Sequence, residues 1–188
     1  MQDSDEEIDC KKPKLSPPTH LSQFFSSYTK YEYDPSGPAS QQFQQLRCVY
    51  KWSARGRDAD DARAGYSRAV GLTFSQAYGD DVESLECWQR LCRAVEFDPI
   101  PESLDACKYA IEDAHVNLMD FVDILTTGEP VHRFATEREL SEYTKSTGKI
   151  FPQSQAHGSL LRHLLRRIWH PPPDNVRRQG GTWVKRRS

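Results

Sequence analysis

Between Ser40 and Ile168 the large apolar residues recur three and four positions apart, and no stretch alternates apolar and polar residues between turn signals. Spacings of three and four line one face of a helix, whereas a half-buried strand needs a spacing of two. The chain is therefore expected to be all-α, a single domain of about five to seven helices. Loops of about 3–10 residues suit antiparallel neighbours.

Ser40 is the expected cap of a helix carrying Phe43, Leu46, Val49 and Tyr50 and closing on Trp52. A second helix is expected from Asp58, with Asp60 and Asp61 at its positive end and Gly79 as its stop. Gly65 and Gly71 argue against its regularity. A third starts at Asp80 or Asp81, buries Val82, Leu85, Trp88, Leu91, Cys92 and Val95, and breaks before Asp98-Pro99. A fourth begins near Glu102 and either continues through Phe121 or restarts there, ending at Gly128. Thr136-x-x-Glu139 is a capping box for a fifth, and the last helix spans about 158–169 before Pro171-Pro172-Pro173.

The ends differ from this body. Residues 1–23 hold five acids, then Lys11-Lys12-Pro13-Lys14 and Ser16-Pro17, with few apolar groups. Residues 171–188 keep only Val176, Trp183 and Val184. Low hydrophobicity with high local charge predicts disorder in both tails. The domain is thus expected over 24–170, opening with an aromatic arm, Phe24 to Tyr33, laid extended on the core. Those rings also admit a second reading, a stacking platform for bases or a peptide.

Charge is segregated. Residues 160–188 carry eight Lys/Arg against the single acid Asp174, a net +7, so residues 1–159 carry −9 to give the chain's −2. What a partner meets depends on where charge sits, not on its sum. On a helix continued past Arg166, Leu160, Leu161, Leu164, Leu165 and Ile168 form one stripe. Arg162, His163, Arg166 and His170 then project opposite, with Arg167 at the flank. Such a helix, extended by Arg177, Arg178, Lys185, Arg186 and Arg187, suits a phosphate backbone or an acidic protein. A solvated face whose arginines complement the helix's negative end is the plainer reading. Lys11, Lys12 and Lys14 resemble a short nuclear-import signal, and the acidic segment 3–9 could fold back on the basic end.

Other chemistry is poorly supported. No long apolar run spans a membrane, and the acidic opening lacks the charge of an export signal. An intracellular, soluble protein with reduced thiols is expected from its five scattered cysteines. Cys87-x4-Cys92 chelates poorly from a helix, and no cofactor or metal is implied. Glu112-Asp113 reads as a solvated pair. His115, between Asp113 and Asp120, admits an unpatterned acid–base site, and a buried structural histidine explains it more simply.

Several stretches together carry a likeness: Phe24-Phe25-x2-Tyr28-x4-Tyr33-Asp34-Pro35, Phe43-x2-Leu46-x5-Trp52, Trp88-x2-Leu91-Cys92 with Pro99-Ile100-Pro101, and Cys107-Lys108 leading to His115-Val116-Asn117. Asp120, Gly128, Arg133-Phe134, Tyr143-Thr144, Thr147-Gly148-x2-Phe151-Pro152 and Leu160–Ile168 extend it. Over about Phe24 to Ile168 the chain resembles a family of small, uncharacterised helical proteins of filamentous fungi. The resemblance implies no activity and no site, and both tails lie outside it. The expectation is a non-enzymatic, nuclear binding module for nucleic acid or an acidic protein. The alternatives are an adaptor or accessory protein of a fungal pathway and an enzyme near His115.

Overall fold

The computed structural model describes residues 19–53, 56–156, 159–166, 168–173, 176–179 and 182–185. Among them are eight α-helices: α1 (Thr19–Ser26), α2 (Ala39–Val49), α3 (Arg57–Tyr78), α4 (Leu85–Ala94), α5 (Leu104–Asp113), α6 (Leu118–Thr127), α7 (Glu137–Thr147) and α8 (Ser159–Leu164). The domain is all-α, as its periodicity predicts. Among the described residues no helix is long and apolar enough to cross a membrane.

At 22 residues, α3 is about 33 Å long, and α1, α4, α6 and α8 all pack against it. It is regular despite its glycines. A Cβ at Gly65 would lie 3.1 Å from the Phe24 ring, so that glycine lets α1 approach closely. The core joins Leu21 and Phe25 of α1, Val70 and Phe74 of α3, Trp88 and Leu91 of α4, Ile111, Phe121 and Leu160. Each such side chain, fully buried, contributes about 1.5–3 kcal/mol.

Helix ends follow the local chemistry. Ser84, Ser103, Asn117 and Thr136 cap α4, α5, α6 and α7 through side-chain oxygens. Gly128 and Gly148 close α6 and α7 in the left-handed region, where glycine alone is unstrained. The expected fourth helix restarts: α5 stops at Asp113, buried His115 takes φ 46°, and α6 begins after Asn117.

Three local expectations are corrected, and one short element is added. Ser40 lies inside α2, with Pro38 at its N-cap, and its hydroxyl donates to Asp123 Oδ2 at 2.8 Å. The aromatic arm starts as helix α1, because Leu21 and Phe25, four apart, both reach the core. α8 is six residues long and ends at Leu164. Beyond it, β1 (Val176–Gln179) pairs antiparallel with β2 (Thr182–Lys185), where the tail reading foresees no regular structure. Val176, Thr182, Trp183 and Val184 favour strand, and Gly180-Gly181 between them has the composition of a hairpin turn.

Candidate functional site

Because α8 ends at Leu164, the expected arginine face does not form as one surface. Leu160, Leu161 and Leu164 are buried as the stripe requires. Arg162 is exposed, and its Nε donates to the Ala156 carbonyl at 3.1 Å. Arg166 turns inward instead. Its side chain is 2% exposed, Nη1 donates to the His163 carbonyl at 3.0 Å, and Nε stands 3.6 Å from Glu137 Oε1, itself 5% exposed. Charges this dry persist only when they are compensated, and removing one takes compensation from the other.

His163 is also withdrawn. Its Nε2 lies 2.7 Å from Glu112 Oε1, a hydrogen bond between the two side chains. The Trp88 ring meets it edge-on at 5.0 Å. Glu112, read from sequence as solvated, is buried in this contact, while Asp113 is exposed. Two of the four groups expected outward thus fasten α8 and its exit to α5 and α7. His170 is exposed.

Arg177, Arg178 and Lys185 stand on the strand pair, whose register sets Arg178 opposite Trp183, Arg177 opposite Val184 and Lys185 opposite Val176. β1 lies beside α5, whose sequence holds Asp105, Glu112 and Asp113 against Lys108. Arg167, Arg186 and Arg187, together with Lys11, Lys12 and Lys14 and the acidic segment 3–9, lie outside the described residues.

A second polar constellation binds α6 to the exit of α7. Lys149 Nζ lies 2.6 Å from Asp120 Oδ1 and 3.0 Å from Asp123 Oδ2. The Tyr143 hydroxyl donates to Asp120 Oδ1 at 2.9 Å. Asn117 Nδ2 donates to Thr144 Oγ1 at 2.8 Å and to the Lys149 carbonyl at 3.1 Å. Burial works against the Lys149 ammonium, but the bond to Asp120 and the fields of Asp123 and Asp120 outweigh it and hold its pKa above the ordinary lysine value. Burial raises the Asp120 carboxyl, with Lys149 and Tyr143 opposing. Above this cluster a polar cleft of about 480 Å³ opens between Ser40, Gln41 and Gln44 of α2 and Tyr143, Lys145 and residues 146–149. Its lysine is already bound by two carboxylates, so the cluster is a tie between elements.

His115 is buried and is not among the residues lining that cleft. Cys92 and Cys107 are buried on α4 and α5; burial, then Cys107, pushes the Cys92 thiol up to about 12, which makes it a poor nucleophile. No metal-holding group of His, Cys, Asp and Glu occurs among the described residues.

Glu137, Asp123 and Lys149 escape sequence reasoning, because long-range pairing leaves no local spacing. The hairpin did have a signal, the two glycines flanked by Val, Thr and Trp. Compared with family models, with curated proteins and with solved structures, the chain gives no match.

Proposed function

We propose that this protein is a non-enzymatic, nuclear binding module that contacts nucleic acid through its basic C-terminal end, with the β1–β2 ribbon rather than α8 as the main contact. The observation that carries the reading is local charge: with Arg166 committed to Glu137, residues 160–188 still hold seven other Lys/Arg against Asp174, and three of them stand on the paired strands. A two-stranded ribbon is narrow enough for a major groove, and lysines and arginines along it release counterions from phosphates. No base-reading motif accompanies them, so the contact is with the backbone and is nonspecific. Lys11, Lys12 and Lys14 supply the nuclear address.

The test is duplex affinity as a function of salt, for the full-length wild type and for Arg177→Ala/Arg178→Ala/Lys185→Ala. The triple variant is expected to lower the slope of log K against log salt by about three, and Arg162→Ala by about one. An unchanged slope in the triple variant rules the ribbon out. A second reading, a protein adaptor, is favoured by Trp169, which is 64% exposed just before Pro171-Pro172-Pro173. Three prolines favour the extended helix that aromatic-lined grooves accept. Partner binding in that case is insensitive to salt and is lost in Trp169→Ala.

A further inference from the structure

Away from the ribbon, three rings gather where α1 and α2 end. Tyr28 meets Tyr50 edge-on at 5.4 Å and Trp52 at 5.5 Å, and Tyr50 and Trp52 lie 5.2 Å apart, inclined by 31°. All three are partly buried against the core and remain partly exposed. The Lys30 amide donates to the Tyr50 hydroxyl at 3.2 Å, and the Lys30 ammonium sits 5.9 Å above the Tyr50 ring. The surface is therefore held in one arrangement before any ligand arrives.

Its charge is distinctive within an acidic body. Residues 47–57 hold Arg47, Lys51, Arg55 and Arg57 and no acid. Lys51 is exposed and adopts φ 49°, a position after a helix where glycine is the unstrained choice. Among the acids nearby in the sequence, Asp61 acts on Tyr28, Asp60 is paired with Arg63 at 2.5 Å, and Glu32 and Asp58 are exposed. Of the arm's rings that suggested stacking in the sequence, Phe25 is fully buried, Phe24 packs among Phe25, Phe43 and Tyr66, Tyr33 stacks on Phe25 and Tyr31 bonds Gln42 and Gln45, whereas Tyr28 joins Tyr50 and Trp52.

We propose that Tyr28, Tyr50 and Trp52, flanked by Lys30, Arg47 and Lys51, form a stacking platform for the bases of a single-stranded nucleic acid. Every base offers a π-face to an aromatic ring, and neighbouring cations follow the backbone, so such a platform is tolerant of sequence. In a duplex those faces are already stacked. A cationic peptide fits less well, because Lys30 already occupies the space over Tyr50 and the surrounding cations repel it. The platform needs nothing from the ribbon.

The experiment uses full-length protein, a thymidine-rich single strand and a duplex of equal length. Trp52→Leu keeps an apolar group but cannot stack, and it is expected to weaken the single strand about tenfold while leaving the duplex unchanged. Lys51→Glu is expected to weaken the single strand by a similar factor. As an exposed substitution it keeps the rings intact, so it decides the matter even if Trp52→Leu unfolds. Single-strand binding as tight in Lys51→Glu as in the wild type, or tighter binding of a lysine-rich peptide at these rings, overturns the proposal. Failure of the ribbon reading looks different: the triple ribbon variant then keeps its duplex affinity and salt slope, whatever the single-strand arm gives.

Discussion

Arg162 and Arg166 lie one helical turn apart in sequence, and their surroundings differ because α8 stops between them. Arg162 is still on the helix and faces outward, whereas Arg166 follows the chain inward to Glu137. Equal formal charge therefore carries unequal consequences. Arg166→Ala removes a buried cation that faces buried Glu137 and is expected to cost about 3–5 kcal/mol in denaturant unfolding. Arg162→Ala leaves only solvent and a carbonyl behind, and is expected to stay within about 0.5 kcal/mol. The reverse order in a denaturant titration would show that the Glu137 contact does not hold in solution.

Elements were legible where their signal was local. Thr136 caps α7 by accepting from the Glu139 amide at 3.2 Å, while the Glu139 carboxylate reaches back to the Ala135 amide at 2.9 Å, close to the box expected from four residues. Gly79, Gly128 and Gly148 stop helices as their type implies. What the sequence hid was distance along the chain: Ser40 meets Asp123, and Lys149 meets Asp120, only after α2, α6 and α7 are packed. Arg166 misled for the same reason, since a helical wheel extended past Leu164 assumes a helix that tertiary contacts end. The Lys149 tie gives this its test. Lys149→Met keeps the aliphatic stem but strands two buried carboxylates, and a loss of about 3–5 kcal/mol is expected by chemical denaturation. A loss confined to surface-pair size, under about 1 kcal/mol, would show the cluster to be hydrated.

Taken together, the molecule is an acidic helical body, built around α3, with cations gathered at the α2–α3 turn and at the C-terminal end. Its interior is also rich in phenols. Burial raises the Tyr66 hydroxyl well above its ordinary value, with Asp123 and Tyr33 adding to it; burial likewise raises Tyr78, and pushes Tyr33 up to about 12. Tyr78 donates to the Phe121 carbonyl at 2.8 Å, a bond that needs its proton. Lys149 is raised too, because its carboxylate partners outweigh its burial. For every one of these groups the folded state holds its proton to higher pH than the unfolded chain does. Between the unfolded and folded values the native state binds more protons, so stability falls as pH rises. The contribution is complete below about pH 10, where unfolded tyrosine and lysine are still protonated, and it is lost above that. Alkaline unfolding is therefore expected to begin above about pH 10, with tyrosinate absorbance and loss of helical circular dichroism rising in one transition. Complete tyrosine ionisation at lower pH with the helices intact would mean that Tyr66 and Tyr78 are open to solvent, and the packing of α3 against α6 would have to be redrawn.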